Sequence, residues 1–428
     1  MNTESMNKYS QRLLNNVFDI VVVGGGAAGM LASGVAAQRG ARVLLLERND
    51  VLGKKLLITG KGRCNITNDR SVAEVLANIP NGDRFLHSAL SGFTTRDTMS
   101  LFESLGVPLK VERGGRVFPK SDKASDVVSA LKSSLEKAGV VIQRGRAAGI
   151  LTENGRVSGV AKPDGNIKCR AAILATGGMS YPGTGSTGDG YDIAGALGHT
   201  VTPLRGSLVP LAAEPELCSR MQGLTLKNVR LSVYDGGKKP IFEDFGELLF
   251  THTGISGPLT LSASAHMRDL GKKKYHVQID LKPALDEKKL DMRILRDFSK
   301  YSNRDFSNAL GELLCKSMIP IVVEKSGIPP DMKVHSISRL GRLELIKTMK
   351  AFYLEIDGPG PIEEAIVTSG GISLREINPK TMESKIVKGL YFAGELIDAD
   401  AYTGGYNLQI AWSTAYAAAM AAAQIHNS

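Results

Sequence analysis

The pattern of apolar and polar positions predicts alternating strands and helices at both ends of the chain. The continuous apolar runs Phe18–Val23, Arg42–Leu46 and Ala171–Ala175 predict strands buried on both faces, as in a parallel sheet. Ala27–Arg39 has the composition of a helix and ends before Gly40. Strand, helix and strand therefore form a β-α-β unit near the start of the chain.

The same pattern returns near the C-terminus after a long interruption. Ile366–Thr368 and Leu390–Ala393 predict short buried strands, and an alanine-rich helix is expected over about Leu408–Gln424. Between these regions the segments are short and alternating, as in Leu226–Tyr234 and Tyr275–Leu281, which is typical of antiparallel strands. We therefore expect an α/β fold with one doubly wound domain, discontinuous in sequence, whose halves are separated by an inserted module.

The composition is that of an ordinary globular protein. Of 428 residues, 43% are apolar and 22% are charged, which excludes a disordered or fibrous chain. No run of about 18 apolar residues occurs and the first 16 residues are polar, so we expect neither a transmembrane helix nor a signal peptide. The cysteines are scattered without C-x-x-C pairing, which argues against disulfides and zinc and favours a cytoplasmic location; they are Cys64, Cys169, Cys218 and Cys315.

The chain is basic, with a formal charge of +10. Its lysines and arginines are spread along the sequence, and only 6% of residues are aromatic, so no stacking platform for single-stranded nucleic acid is visible. We expect a small-molecule substrate, and neither a nucleic-acid nor a membrane partner. The charge weakly favours an anionic substrate.

A glycine motif follows the first predicted strand. Residues 24–29 read GGGAAG, which is G-x-G-x-x-G opening a helix. Gly24 permits the tight turn, Gly26 lets a phosphate approach the backbone, and Gly29 lets the helix pack close to the sheet. The free N–H groups of the helix start, including those at Ala27 and Ala28, would then face a pyrophosphate. Together with the surrounding β-α-β unit, the motif predicts a dinucleotide site.

An acid at the end of the second strand narrows the choice of dinucleotide. Glu47 can accept hydrogen bonds from both hydroxyls of an adenosine ribose and would repel a 2′-phosphate, which favours FAD or NAD over NADP. A second cofactor segment near the C-terminus then favours FAD. There a strand ends in Gly394 and Glu395, with the acid placed to hold ribityl hydroxyls. Residues 404–409, GGYNLQ, open the last helix toward the flavin pyrimidine edge.

These motifs make the chain resemble the FAD-binding flavoproteins of the aminoacetone oxidase-like group, which includes bile-acid dehydro-reductases. Besides GGGAAG, YFAGE and GGYNLQ, the resemblance rests on GKGRCNITN at 60–68, ATGG at 175–178 with Tyr181 and Pro182, THTGISGP at 251–258 and TSGG at 368–371. It covers about Phe18 to Gln424, nearly the whole chain.

The resemblance implies a glutathione-reductase-like, Rossmann-type FAD domain with a β-barrel-like insert and a small helical module. The expected boundaries are a disordered tail over 1–16, an FAD domain over 17–198 and 366–428, a β-rich insert over 199–284 and 344–365, and a helical module over 285–343. It also implies redox chemistry. No second G-x-G-x-x-G is visible, so NAD(P)H would bind only transiently as an electron donor.

The loop after the second strand supplies further candidates. Among its cations, Arg63 is favoured as a partner of phosphate or flavin charge, and Lys61 is expected to be solvated. Cys64 is either a flavin-proximal thiol or, more simply, a small buried residue, and Asn65 either bonds the flavin or caps a turn. The full set of expected cofactor contacts is Gly24, Gly26, Ala27, Ala28, Gly29, Glu47, Arg48, Lys54, Lys55, Arg63, Cys64, Asn65, Ala147, Thr176, Gly177, Gly178, Gly394, Glu395, Asp398, Gly405, Tyr406, Asn407 and Leu408.

The catalytic candidates are fewer. His252 lies in a polar loop of the inserted module and could act as an acid or base near neutral pH, although a structural histidine is the simpler interpretation. Tyr181 and Tyr402 flank glycine-rich loops and could donate a proton or stack. The other histidines show no metal spacing, so no metal is expected.

The sequence thus predicts an FAD-dependent oxidoreductase that transfers hydride between flavin N5 and a small organic substrate held between the FAD domain and the inserted module. Two versions stay open: amine oxidation with O₂, and NAD(P)H-fed reduction of an enone or steroid-like C=C bond. The alternative is a non-catalytic flavin-binding sensor or an accessory protein of RNA modification.

Overall fold

The computed structural model describes residues 17–267, 270 and 272–424. The chain forms two compact units: the first runs through Ser207 and resumes at Ile362, and the second is Leu208–Pro361. The predicted tail, residues 1–16, lies outside the described residues. The first unit is therefore built from both ends of the chain, with the second inserted between them in sequence.

A mixed sheet, with seven strands in the described residues, forms the centre of the first unit. Its strands are β1 Phe18–Val23, β2 Val43–Glu47, β3 Val141–Arg144, β4 Gly149–Glu153, β5 Arg156–Lys162, β6 Gly165–Leu174 and β7 Leu390–Phe392. The order in the sheet is β3-β2-β1-β6-β5-β4, and β7 also pairs with β6. β1, β2, β3, β7 and the second half of β6 are parallel, whereas β4, β5 and the first half of β6 form antiparallel hairpins.

Both faces of the central strands are buried, which explains their continuous apolar sequences. Ile20 and Val22 of β1 pack into one apolar cluster, and Val21 and Val23 pack into another on the opposite face. All four side chains are at most 5% exposed. The predicted doubly wound α/β class is confirmed.

Helices cover the sheet, and three of them position the candidate site. These are α1 Ala27–Gln38, α2 Lys54–Gly62 and α3 Tyr406–Gln424. The other helices of this unit are Val72–Leu76, Asp83–Gly92, Thr95–Ser104, Ala124–Lys137 and Asp189–Ala196, and the remaining strands are Thr67–Asn68, Leu109–Glu112, Arg116–Pro119, Arg205–Ser207 and Val367–Ser369. Short 3₁₀ turns occupy Pro182–Thr184, Ile362–Glu364, Leu374–Glu376 and Gly394–Leu396.

The last helix, α3, is anchored in the core of the first unit. Trp412 is fully buried, donates its indole N–H to the Ile66 carbonyl oxygen at 2.9 Å, and meets the Phe102 ring edge-on at 5.4 Å. Gln409, also fully buried, bonds to Thr67 and to Thr98. These contacts tie the end of the chain to its first quarter.

The second unit combines an antiparallel sheet with helices. In the described residues its strands are Leu211–Ala212, Thr225–Tyr234, Phe242–Phe250, Gly254–Ser256, Tyr275–Asp280, Phe352–Ile356 and Gly358–Pro359. Its helices are Pro215–Ser219, Pro258–Ser264, Glu287–Lys300, Ile319–Ser326 and Arg339–Lys350, with 3₁₀ turns at Phe306–Asn308 and Val334–Ser336.

The predicted helical module is not separate from the predicted β-rich insert. Leu290 and Ile294 of the module share one apolar cluster with Val277 and Leu354 of the sheet. Because each part buries the other's apolar face, they form a single unit.

Candidate functional site

The candidate site is a cavity in the first unit at the carboxyl ends of the parallel strands. It is lined by residues 23–28, the end of β2, the start of α2, segments 145–147, 175–177 and 184–189, and parts of 393–411. Ligands of open α/β sheets bind at this edge, because loops that diverge from neighbouring strands leave a crevice there.

The glycine loop after β1 has little room for side chains. A Cβ at Gly24, whose φ is +104°, would lie 2.5 Å from the Ala175 carbonyl oxygen. A Cβ at Gly29 would lie 1.7 Å from the Gly24 carbonyl oxygen. At Gly26, by contrast, a Cβ would meet no protein atom within 4 Å. Gly26 thus faces open cavity at the start of α1, whereas the other two glycines serve close backbone packing.

Glu47 is buried at the end of β2 and is held in place by its neighbours. One carboxylate oxygen accepts the backbone N–H of Gly25 at 2.5 Å, and the other accepts the backbone and side-chain N–H groups of Asn49 at 2.7 and 2.8 Å. These bonds fix the carboxylate against the glycine loop, where it lines the cavity. Binding of ribose hydroxyls stays a prediction for this residue.

Two arginines share an acid beside Glu47. Arg48 and Arg146 lie 3.2 and 2.8 Å from the same Asp189 oxygen, and Arg48 also donates to Thr187. Burial of the Asp189 carboxyl opposes ionisation, but its bonds to Arg146 and Thr187 outweigh that effect, so the pKa of Asp189 lies below its ordinary value. Ala147, next to Arg146, is buried and lines the cavity, and its contact with the cofactor stays a prediction.

A lysine on the first turn of α2 pairs with a glutamate in the turn that follows β7. The Lys55 ammonium lies 2.6 Å from a Glu395 oxygen and 2.6 Å from the Ser180 hydroxyl. The expected contacts Lys54, Thr176, Gly177 and Gly394 line the same cavity. The chain thus places a paired charge beside the cofactor cavity.

Hydrogen bonds from Asn407 and from Asn68 hold the loop before α3 in its conformation. The Asn407 side chain accepts the Ala401 N–H at 2.9 Å and donates to the Ala401 carbonyl at 2.7 Å. Asn68 donates to the Gly404 carbonyl at 2.9 Å, and a Cβ at Gly405 would lie 2.3 Å from the Thr67 carbonyl oxygen. Gly405, Asn407 and Leu408 line the cavity. The Asn407 amide therefore shapes the loop, and the start of α3 is presented to the cavity.

The structure corrects the expected contact of Arg63. Its guanidinium bonds to Glu112 and Asp122, at 2.9 and 3.3 Å, and lies 4.1 Å from the centre of the Phe118 ring. It does not line the cavity. The charge of Arg63 is neutralised by protein carboxylates instead.

Five other expected contacts also lie outside the cavity lining. Cys64 is buried, and burial raises the pKa of its thiol to about 12, so it is an inert core residue. Asp398 accepts the Asn81 amide, and Tyr406 packs into an apolar cluster. Gly178 and Gly29 allow close packing of neighbouring groups. A Cβ on Gly178 would lie 2.3 Å from the Thr368 hydroxyl oxygen, and the contact of Gly29 with Gly24 is given above.

The catalytic candidates belong to both units. Tyr402 lines the cavity, whereas Tyr181 is 37% exposed with a φ of +54° and does not. His252 is an exposed residue of the second unit. Its catalytic role stays a prediction.

Sequence reasoning missed part of the lining. Asn49, Arg146, Ser186, Thr187 and Asp189 all face the cavity. For Ser186, Thr187 and Asp189 the signal available was the glycine-rich run GTGSTGDG at 183–190, in the segment that follows β6. Glycine-rich runs of this kind predict a loop.

Unsatisfied polar atoms test whether FAD fits. Asn65 Oδ1 and Thr176 Oγ1 are buried, line the cavity and have no hydrogen-bond partner among the described residues. Buried polar groups are normally paired, so both are available to hydroxyl and N–H groups of a ligand. With the open face of Gly26 and the carboxylate of Glu47, they fit a dinucleotide such as FAD.

Within the described ranges, no group of three or more His, Cys, Asp or Glu residues is arranged to hold a metal ion. No helix in those ranges is long and apolar enough to cross a membrane.

Comparisons with known proteins identify the family of this chain. Residues 18–421 match the family model described as the HI0933-like protein Rossmann domain. The chain is 33% identical over 402 residues to the ribosomal RNA dihydrouridine synthase of Escherichia coli K12, covering 94% of this chain and 97% of that protein. It is 32% identical over 409 residues to the 3-dehydro-bile acid delta(4,6)-reductase of Clostridium scindens, covering 95% of this chain and 99% of that protein.

A solved structure shares the fold. The 3-ketosteroid-delta4-(5alpha)-dehydrogenase of Rhodococcus jostii RHA1 aligns with a TM-score of 0.52 at 16% identity, covering 95% of this chain and 97% of that one. The predicted fold class, the FAD cofactor and the assignment as an FAD-dependent oxidoreductase are confirmed at the level of the family. The chain belongs to the HI0933-like protein family, whose Rossmann domain supplies the cavity described above.

Proposed function

We propose that this flavoenzyme reduces a C=C bond conjugated to a carbonyl group, and that its substrate is a uridine of ribosomal RNA. The observation that carries the proposal is 33% identity, over nearly the full length of both chains, to a ribosomal RNA dihydrouridine synthase. A second protein of that name, from Haemophilus influenzae, is 31% identical over 422 residues.

The reductase among the relatives supports the same type of chemistry. Dihydrouridine differs from uridine by two hydrogen atoms across C5=C6, a bond conjugated to the C4 carbonyl. A delta(4,6)-reductase of a 3-dehydro-bile acid likewise acts on C=C bonds conjugated to a carbonyl. The shared step is addition of a hydride to the β-carbon and a proton to the α-carbon.

The charge of the chain supports a polyanionic substrate. A formal charge of +10 favours association with RNA phosphates, and this attraction needs no aromatic stacking platform. The expectation of no nucleic-acid partner rested on the spread of the basic residues along the chain and on the absence of such a platform. The proposed RNA substrate replaces that expectation.

Bound, reduced FAD would supply the hydride. The chain's own contribution is to hold the cofactor with Gly26, Glu47 and the start of α3, and to provide a proton at the rim. Among the described lining residues, Tyr402 carries the phenol hydroxyl that can hold this proton. We expect Tyr402→Phe to lower turnover while leaving the bound FAD in place.

The test is a single-turnover reduction in the absence of oxygen. FAD-loaded protein, reduced with dithionite and freed of excess reductant, is mixed with ribosomal RNA from cells lacking the enzyme. Flavin reoxidation together with a gain of two hydrogen atoms on one uridine, read by mass spectrometry of digests, supports the proposal. Reoxidation without any uridine change contradicts it.

The same experiment separates the other candidates. A 3-oxo-4,6-diene steroid tests the activity favoured by the bile-acid reductase relative. Oxygen with aminoacetone tests amine oxidation, and NADH and NADPH are compared as donors to the oxidised protein. A protein inert to the whole panel would be a flavin-binding sensor or accessory protein.

A further inference from the structure

Glu395, in the turn that follows β7, accepts hydrogen bonds from three groups of the protein. Glu395 was expected to bind ribityl hydroxyls, yet one of its oxygens accepts the Thr368 N–H at 2.8 Å and the Ser180 hydroxyl at 3.0 Å. Its other oxygen accepts the Lys55 ammonium at 2.6 Å. The carboxylate is therefore held in one orientation, and its strongest partner is a lysine.

The lysine is held as firmly as the acid. Lys55 donates both to Glu395 and to Ser180, which leaves a third N–H for the cavity that it lines. Its side chain is 23% exposed and that of Glu395 is 21% exposed, so the pair is largely removed from water. Burial of the Glu395 carboxyl opposes ionisation, but the charge and hydrogen bond of Lys55 outweigh burial, and the pKa of Glu395 lies below its ordinary value.

Gly178 packs closely against the acid of the pair and against Thr368. A Cβ on Gly178 would lie 2.8 Å from the Glu395 carboxylate and 2.3 Å from the Thr368 hydroxyl. Thr368 in turn accepts the N–H groups of Met179 and Ser180 at 2.7 and 3.2 Å. The segment that carries Ser180 is thus fixed to the strand that carries Thr368.

The adjacent lysine lacks this arrangement. Lys54 also lines the cavity, but it is exposed and has no carboxylate within ion-pair distance among the described residues. Two consecutive lysines on the first turn of α2 therefore face the same cavity, one held in place and one solvated. Charge held in place in a partly dry site acts more strongly on a neighbour than solvated charge does.

We propose that Lys55 is the fixed positive charge that acts on the bound flavin ring, that Glu395 and Ser180 position it, and that the pair sets how strongly the ring accepts negative charge. This inference rests on FAD occupying the cavity and does not depend on the substrate. Reduction places negative charge on the ring system, so a fixed cation beside it favours the reduced form and a fixed anion disfavours it.

The pairing gives the two partners opposite effects. In Lys55→Met the carboxylate of Glu395 is left unbalanced beside the ring, so reduction becomes harder. In Glu395→Gln the ammonium of Lys55 is left unbalanced, so reduction becomes easier. In the double variant Lys55→Met/Glu395→Gln both charges are gone, and we expect a value between those of the single variants.

The experiment measures the flavin itself and needs no turnover. Each FAD-loaded variant is titrated with sulfite, which adds to flavin N5 and leaves negative charge on the ring, and its midpoint potential is read against indicator dyes. We expect the sulfite dissociation constant of Lys55→Met to rise about tenfold, equivalent to about 1.4 kcal/mol. Glu395→Gln should shift both measures the opposite way, and Lys55→Arg should stay near the wild type.

Matched lysines make the test specific. Lys61→Met removes an exposed lysine that follows the kink at Thr59 and does not line the cavity, and we expect no change in sulfite affinity. Lys54→Met should shift it less than Lys55→Met does. Equal shifts in sulfite affinity in Lys54→Met and Lys55→Met would overturn the proposal, because a solvated lysine would then affect the flavin as strongly as the one held in place.

Two further outcomes would also overturn it. If Lys55→Met and Glu395→Gln shift the potential in the same direction, the pair acts through structure and not through charge. If Lys55→Met weakens FAD binding, read by flavin fluorescence, with no change in potential or sulfite affinity, the lysine serves the pyrophosphate. Neither outcome bears on uridine reduction, which is read from RNA, so the two proposals can fail separately.

Discussion

Gly29 lies so close to Gly24 that a methyl group on Gly29 would sit 1.7 Å from the Gly24 carbonyl oxygen. This contact packs the first turn of α1 against the loop that leaves β1. Gly26, between them, has no protein atom within 4 Å of its Cβ position. One motif therefore contains a glycine that packs against backbone and a glycine that faces the open cavity.

Alanine substitutions should separate these roles. We expect Gly26→Ala to fold with an unchanged melting temperature and to bind FAD about 10- to 100-fold more weakly, because the methyl group occupies space that the cofactor needs, at about 1–3 kcal/mol. Gly29→Ala should instead fail to give soluble, folded protein. Calorimetry of the apoprotein and flavin fluorescence titration measure both. Normal FAD affinity in Gly26→Ala would refute the ligand role.

Glu47 provides a second prediction about the cofactor. Glu47→Gln keeps the size of the side chain and removes its charge, so its hydrogen bonds to ribose hydroxyls weaken, and we expect FAD affinity to fall about tenfold. Glu112→Gln is the matched control, because its carboxylate pairs with Arg63 outside the cavity. Unchanged FAD affinity in Glu47→Gln would remove the ribose assignment.

Arg63 should prove to be a structural residue. We expect Arg63→Met to keep full FAD content and an unchanged flavin spectrum, because the guanidinium is taken up by Glu112, Asp122 and the Phe118 ring. The melting temperature should fall slightly, since partly exposed ion pairs contribute little. Loss of flavin from this variant would instead support the prediction that Arg63 is a partner of the phosphate or flavin charge.

His199 predicts a pH dependence of stability. Burial disfavours its imidazolium, and although Glu376 opposes this, the pKa of His199 in the folded protein lies below its ordinary value. As the pH falls through about 6.5, the unfolded chain takes up a proton before the folded one does, so the free energy of unfolding decreases. The ordinary pKa of a carboxyl group is about 4, whereas that of histidine is about 6.5, so this pH window tests histidine.

The test compares urea unfolding at about pH 7.5 and about pH 5.5. The wild type should be less stable at the lower pH, and His199→Gln should lose much of that difference. His335→Gln is the control, because His335 is exposed. An equal pH dependence in all three proteins would assign the effect to other groups.

Sequence reasoning succeeded where one local pattern determines the structure. The runs at β1 and β2 are buried on both faces, so their apolar character alone identified them, and the glycine spacing identified the turn between strand and helix. It failed where partners are distant in sequence. Nothing near Arg63 in the chain reveals that Glu112 neutralises it, and nothing near Glu395 reveals Lys55, 340 positions away.

The two-ended construction of the first unit has a consequence during synthesis. β7 pairs with β6, and α3 supplies one wall of the cavity, yet both are made only after the whole second unit. A growing chain can complete the inserted unit while its cofactor cradle still lacks a wall. We therefore expect FAD to bind only after α3 has been made, and the backbone edge of β6 that pairs with β7 stays without its partner until β7 is made.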